Sequence, residues 1–372
     1  MKYYLIAGEA SGDLHASNLM KALKKFDSEA VFRGFGGDLM AAQGLQVVKH
    51  CRELDIMGFV KVAMNLRTVL RNITLCKKDI LNFQPDVVIL IDYPGFNLRI
   101  AKFLKQQNIK NYYYISPQIW AWKQSRVHQI KRNVDRMFVI LPFERDFYKK
   151  FDYDVDFVGH PLLDSLQNEQ SDFDKTQFLA QYHLSASKPI VALLPGSRRQ
   201  EIKKMLPMMT SMQADFPEHQ FVIAGVSSVE TAFYKKYSTF TDIPVILHAT
   251  HDLLRSSDAS LVTSGTASLE TALLKTPQII CYKSDYISYL IAKQLIKVNY
   301  IGLPNLIMDK PIVKELIQND FNRITLKNEL FQLLFNPQKR QQVATDYAEL
   351  EQKLGGIGAS EKAARLIWYS KT

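Results

Sequence analysis

Short apolar runs alternate with amphipathic helical segments through most of this chain, and that alternation leaves few folds open. A run such as Asp86-Val-Val-Ile-Leu-Ile91 shows no polar alternation, so both its faces are expected to be buried. Repeated strand and helix patterns of this kind predict an α/β protein with largely parallel sheets. The first half offers strands at Tyr3–Ala7, Val31–Gly34, Val87–Ile91, Tyr112–Ile115, Met137–Ile140 and Phe157–Val158. Helical spacing fills the gaps, for example over Leu14–Phe26 and Leu98–Gln107. A second series begins at Ile190 and continues with Gln220–Ala224, Val245–Leu247, Ala259–Val262 and Gln278–Cys281. The polar stretch between the two series predicts two doubly wound domains, residues 1–165 and 166–340, followed by a helical tail at 341–372. In such sheets ligands bind beyond the carboxyl ends of the strands, so the informative residues are expected just after strands.

At 372 residues the chain is long enough for two domains. No apolar run approaches the ~20 residues needed to cross a bilayer. The opening Met1-Lys-Tyr-Tyr-Leu-Ile-Ala7 is too short for a signal-peptide core and is expected to be the first strand. Cys51, Cys76 and Cys281 are odd in number and in no metal spacing, which points to the reducing cytoplasm. The net charge of +10 calls for an anionic target. The basic residues are spread out and form no nucleic-acid module, so phosphate-bearing ligands and a membrane surface are favoured.

Four stretches follow strands and carry chemistry-bearing residues. After Ile190–Leu194, Pro195-Gly196-Ser197 breaks the strand and Arg198 opens a helix. Unbonded N–H groups of a first helical turn, the helix dipole and a forked guanidinium together suit a phosphate. The same residues also suit an ordinary turn with solvated arginines. Asp92 ends a central strand and precedes Tyr93-Pro94-Gly95, a position for a general base, a helix N-cap or a loop ion pair. In Gly8-Glu9-Ala10-Ser11-Gly12-Asp13, Ser11 or Asp13 can cap the next helix, while Glu9 lies ahead of the cap. In Ser264-Gly265-Thr266-Ala267-Ser268-Leu269-Glu270, hydroxyls and backbone N–H groups can meet a phosphate and Glu270 a ribose; Thr266 and Glu270 also approach capping-box spacing.

Ser116-Pro117-Gln118-Ile119-Trp120-Ala121-Trp122 holds two of the three tryptophans, as a sugar or acyl platform or as core. The stretch 54–71 combines Met57, Phe59 and Val60 with Lys61, Arg67 and Arg71, the pattern of a helix lying on an anionic bilayer or of one packed on its own sheet. Asp152, Asp154 and Asp156 are set aside as a metal motif because they lie in a connecting segment. His248 and His251 lack a third ligand. Ser197 has no nucleophile-elbow context.

Taken in order, eight stretches resemble the lipid-A-disaccharide synthases. They are Gly8-Glu-Ala-Ser-Gly-Asp13, Ile91-Asp-Tyr-Pro-Gly-Phe-Asn97, Ser116-Pro-Gln-Ile-Trp-Ala-Trp122, Leu141-Pro-Phe-Glu144, Gly159-His-Pro161, Leu193-Leu-Pro-Gly-Ser-Arg198, Ser264-Gly-Thr266 and Leu303-Pro-Asn305. The resemblance implies a GT-B glycosyltransferase with two Rossmann-like domains facing a central cleft. The N-terminal domain would bind the acceptor and face the membrane, and the C-terminal one would bind the UDP-sugar. It implies transfer from UDP-2,3-diacylglucosamine to the 6-hydroxyl of 2,3-diacylglucosamine 1-phosphate (lipid X), inverting, with no metal and no cofactor. It further implies a homodimer with exchanged C-terminal segments, peripheral on the cytoplasmic face of the inner membrane. By motif, Asp92 matches the family's catalytic aspartate and Glu9 its essential glutamate. Arg198 matches an arginine on the nucleotide, Asn305 an asparagine needed for activity, and Glu270 a ribose-binding glutamate. Gly196, Ser197, Ser264, Gly265 and Thr266 complete the implied UDP-sugar set; Met57, Phe59, Val60, Trp120 and Trp122 form the implied acceptor and membrane face. Gly95 stands where some members carry a second acid, which leaves Asp92 as the base. The competing expectations are a UDP-sugar 2-epimerase or another UDP-hexosamine transferase on the same architecture, and a non-catalytic sugar-nucleotide module.

Overall fold

The structure is a computed structural model, and it describes residues 1–54, 66–170, 173–285 and 298–370. Met57, Phe59 and Val60 lie outside the described residues. The chain forms two units: Met1–Asp164 with Leu354–Thr372, and Ser165–Lys353.

The first unit is built on a seven-stranded sheet of β1 (Lys2–Ala7), β2 (Val31–Gly36), β3 (Leu45–His50), β4 (Val87–Ile91), β5 (Asn111–Tyr114), β6 (Arg136–Val139) and β7 (Asp156–Phe157). Its order is β3-β2-β1-β4-β5-β6-β7, and every neighbouring pair is parallel. The second unit holds β8 (Ile190–Leu194), β9 (Gln220–Gly225), β10 (Val245–Leu247), β11 (Ala259–Thr263), β12 (Gln278–Tyr282) and β13 (Lys314–Ile317). Its order is β10-β9-β8-β11-β12-β13, again all parallel. The wholly apolar runs take the middle of each sheet: β4 and β8 are buried at every residue.

Both sheets reverse direction of growth once. The chain adds β2 and β3 on one side of β1 and then crosses to add β4 on the other; β8 and β11 repeat this in the second unit. Connections diverge at such a switch point and open a crevice at the carboxyl ends of the two strands. The residues that follow β1 and β4 are Gly8-Glu9 and Asp92-Tyr93; those that follow β8 and β11 are Pro195 to Arg198 and Ser264 to Thr266.

Two strands went unanticipated, β3 and β13, and both are sheet edges. An edge strand has one neighbour and meets water, so it tolerates Gln46 and Lys49, or Lys314 and Glu315, and loses the apolar signature of a central strand.

The first helix also starts earlier than expected, at Ala10, with Glu9 at its N-cap position and no side-chain cap. Asp13 therefore caps a different helix. Its buried carboxylate accepts the N–H groups of Gly37 at 2.8 Å, Leu39 at 3.0 Å and Met40 at 3.1 Å, at the start of Asp38–Ala42. The segment expected as one tail from 341 is divided. The helix Pro337–Lys353 belongs to the second unit, where Lys310 binds Asp346 at 3.0 Å. The helix Ala359–Tyr369 returns to the first unit and packs on Ala10–Leu23. Asp164 fastens its start by accepting the N–H groups of Gly358 at 2.6 Å and Ser360 at 2.9 Å.

Candidate active site

At the switch point of the first unit the backbone is held in an unusual form. Asp92 and Tyr93 both have positive φ, 42° and 46°, a left-handed conformation that costs non-glycine residues about 1–3 kcal/mol each and persists only when its surroundings enforce it. Those surroundings are visible. The Asn97 amide donates to the carbonyls of Asp92 at 2.8 Å, Ile91 at 3.1 Å and Ile6 at 3.4 Å, which ties the ends of β4 and β1 together. The Tyr113 hydroxyl donates to the Asp92 carbonyl at 2.5 Å. The Tyr93 ring lies so close to Gly8 that a Cβ there would sit 2.4 Å from it, so only glycine fits. Tyr93, not Asp92, occupies the N-cap position of the helix Pro94–Gln106, which leaves the Asp92 carboxyl for other work.

That carboxyl lines a cavity of about 230 Å³ with Pro94, Ser116, Trp122 and Glu144. Burial, and secondarily the charge of Glu9, push Asp92 up to about 7, against a smaller downward pull from the Tyr93 N–H. A carboxylate so placed titrates near neutrality, as a general base requires.

The two tryptophans separate. Trp120 is only 6% exposed, packs edge-on against Phe143 and donates its indole N–H to Glu144 at 3.2 Å. It is a buried bracket, not an acceptor or membrane contact, because its polar edge is spent on Glu144. Trp122 is 48% exposed on the cavity rim, with Lys123 and Arg126 each 5.6 Å from its ring centre. Glu144 closes the family stretch Leu141-Pro-Phe-Glu144 but was assigned no role from the sequence. It is buried, accepts the N–H groups of Ile140 at 3.2 Å and Leu141 at 3.0 Å, and is pushed up to about 7 by burial.

The second unit's switch point opens into a cavity of about 960 Å³. Gly196, Ser197, Arg198, Ser264, Gly265, Thr266 and Glu270 all line it. Gly196 has φ +107°, and a Cβ there would lie 2.6 Å from a Glu201 oxygen. Glu201 changes the reading of this turn. Its carboxylate accepts the N–H of Ser197 at 3.1 Å and of Arg198 at 3.3 Å, and the Arg198 guanidinium donates to it at 3.3 Å. Two of the N–H groups expected to point outward, those of Ser197 and Arg198, are therefore taken, because Glu201, the third residue of the helix Arg199–Ser211, folds back over its own start. The Arg198 side chain remains 67% exposed. Arg199 is directed elsewhere: it pairs with Glu230 and lies 4.6 Å over the Phe233 ring.

The helix Thr266–Leu273 begins differently. Its N-cap position is Gly265, with no side-chain cap, and a Cβ on Gly265 would meet nothing within 4 Å. Its first turn thus faces open space in the cavity, the arrangement that suits an anion. Thr266 and Glu270 do not form a capping box; Glu270 is 3.7 Å from His251. The Ser264 hydroxyl donates to the Ile301 carbonyl at 2.9 Å, so its proton is committed to the protein. His248 (φ +62°) and His251 also line the cavity, a position after β10 that their weak metal signal had concealed.

Asn305 is not among the lining residues. It is fully buried, donates to the Val313 carbonyl at 2.8 Å and to Glu315 at 2.7 Å, and accepts the Val313 N–H at 2.8 Å. Its side-chain bonds go to Val313 and to Glu315 of β13, so the structure places it behind the cavity wall and not on it. Asp156, one of the three spaced aspartates, binds Arg136 at 2.7 Å between β7 and β6.

The model of the family described as lipid-A-disaccharide synthetase matches residues 3–367. A lipid-A-disaccharide synthase of Syntrophus aciditrophicus is 40% identical over 367 residues, covering 97% of this chain and 95% of the relative. The chain belongs to the lipid-A-disaccharide synthase family. Another lipid-A-disaccharide synthase, from Coxiella burnetii, is 36% identical over 367 residues, covering 98% of this chain and 96% of its own. Among solved structures, a UDP-GlcNAc 2-epimerase from Neisseria meningitidis bound to UDP-GlcNAc superposes with a TM-score of 0.73 at 12% identity, covering 99% of this chain and 100% of that one. The glycotransferase of kitacinnamycin superposes at 0.67 and 12% identity, over 100% and 99%. At such identities these structures speak to the fold alone, and that fold is the GT-B type, two parallel-sheet α/β units. Family membership sets aside the epimerase and the non-catalytic module: the chain is a glycosyltransferase of lipid A synthesis.

Proposed function

We propose that this lipid-A-disaccharide synthase transfers 2,3-diacylglucosamine from its UDP derivative to the 6-hydroxyl of 2,3-diacylglucosamine 1-phosphate, with Asp92 as base and the 960 Å³ cavity as the UDP-sugar site. The observation that carries the reading is the convergence of seven residues on one cavity at the β8/β11 switch point. In the chemistry, the acceptor hydroxyl yields its proton to Asp92 and its oxygen attacks the anomeric carbon. The bond to the β-phosphate oxygen breaks on the opposite face, its electron pair leaves with UDP, and the α-linked donor becomes a β-linked product. Charge on the departing diphosphate is met by the uncapped start of Thr266–Leu273 and by Arg198. For the diphosphate to use the Ser197 and Arg198 N–H groups it must first displace Glu201. Incubation with both diacylglucosamine substrates and mass analysis for disaccharide 1-phosphate and UDP tests the reading; consumption of the donor without a disaccharide would sink it.

Association with an anionic membrane surface belongs to the same proposal. The helix Leu66–Phe83 exposes Leu70, Leu75 and Leu81 together with Arg67, Arg71 and Lys78, a mixed apolar and basic face. Among the described residues no helix is long and apolar enough to cross a membrane.

The protonation of Asp92 gives a pH test. A base works when ionised, so kcat/KM is expected to fall as pH drops below about 7. Glu9→Gln removes one of the two influences that raise Asp92, so the acid limb should move to lower pH without reaching the ordinary carboxylate range, since burial remains. An unchanged limb in Glu9→Gln would show that Asp92 is not the group being titrated.

A further inference from the structure

Asn305 lies outside the nucleotide cavity, yet the segment it anchors reaches the cavity wall, and Glu315 joins the two. Glu315 stands on the edge strand β13, beside Ile280 of β12. One carboxylate oxygen accepts the Gly302 N–H at 3.0 Å and the Asn305 amide at 2.7 Å; the other accepts the Ile301 N–H at 3.0 Å. The approach is close enough to need a glycine: a Cβ on Gly302 would lie 2.3 Å from Ile280 and 3.1 Å from Glu315. The carbonyl of Ile301 then receives the Ser264 hydroxyl at 2.9 Å, while the Ser264 N–H donates to Cys281 of β12 at 3.2 Å. Ser264 is thus held at both ends, immediately before the Gly265–Thr266 helix start that lines the cavity.

We infer that Glu315 is a positioning residue for the nucleotide-sugar: it fixes Ile301, which fixes Ser264, which sets the Gly265–Thr266 backbone against the diphosphate. Asn305 serves the same end by holding Glu315 and Val313. The carboxylate is needed because three donors converge on it; an amide offers one acceptor oxygen and would turn N–H groups toward an N–H. The inference rests on the cavity being the UDP-sugar site.

The experiment is equilibrium binding of UDP to the full chain by isothermal titration calorimetry, for the wild type, Glu315→Ala, Glu315→Gln, Ser264→Ala and the double variant Glu315→Ala/Ser264→Ala. Glu315→Ala should weaken UDP about tenfold, the scale of one misplaced hydrogen bond to a charged ligand. Glu315→Gln should fall between it and the wild type. The double variant should bind no more weakly than Glu315→Ala, because both changes break one chain of contacts. In steady-state assays the KM for the UDP-sugar should rise while that for the acceptor stays unchanged. Should Glu315→Ala not fold by thermal unfolding, Glu315→Gln and Ser264→Ala still carry the comparison. Wild-type affinity in the Glu315 variants, or losses in the double variant that multiply, would overturn the inference alone. Absence of UDP binding by the wild type would remove the nucleotide reading of the cavity, and the inference with it.

Discussion

Asp92→Asn is expected to lower kcat by about 10²–10⁴, the range that a positioned general base contributes, while UDP still binds with wild-type affinity. Asparagine is the informative replacement. It is nearly isosteric, it cannot take the proton, and it tolerates the left-handed backbone that φ of 42° imposes at this position. Alanine would add strain and blur the result. Binding of UDP should survive because the residues lining the large cavity all belong to the second unit, and Asp92 belongs to the first. Calorimetric UDP titration beside a turnover assay reads both quantities. Retained turnover would remove Asp92 as the base.

Arg198→Ala should cost about 10²–10³ in kcat, as does loss of one preorganised contact to developing charge. The side chain is largely exposed, lines the cavity and bonds Glu201, which places its charge beside the space proposed for the diphosphate. Arg199→Ala makes the contrast: its side chain is engaged with Glu230 and Phe233, and its removal should leave turnover within a few-fold of wild type. Equal losses in the two variants would mean that general positive charge, and not the placement of Arg198, stabilises the leaving group.

These expectations depend on different amounts of sequence and structure. The strands in the middle of each sheet were legible because a strand buried on both faces must be apolar throughout, as Val87–Ile91 and Ile190–Leu194 are. The edge strands Leu45–His50 and Lys314–Ile317 were not, since water on one side relaxes that demand. Asp13 was legible as a cap but not as the cap of a helix two dozen residues away, because capping reads the nearest N–H groups in space. Glu315 escaped because folding brings its donors to it: the N–H groups of Ile301 and Gly302 lie 14 and 13 residues earlier, and nothing beside Glu315 in the sequence records them. Glu144 and Glu201 accept N–H groups only three and four residues before them, a local pattern that the sequence carries.

By itself the sequence determined the class of fold, the division into two strand series, and which turns follow strands, because hydrophobic period and turn chemistry are local properties of the chain. It also carried, through ordered motifs, the family. Strand order was decided only in three dimensions. Placing β4 beside β1, and β11 beside β8, makes the ends of sequence-distant strands adjacent. That adjacency brings Glu9 to Asp92 and Gly196 to Gly265. Tertiary packing also turns Trp120 toward Glu144 and Asn305 toward Val313 and Glu315. The reason is geometric: a donor's partner is whatever lies within about 3 Å, and in a parallel sheet that neighbour comes from another strand far along the chain.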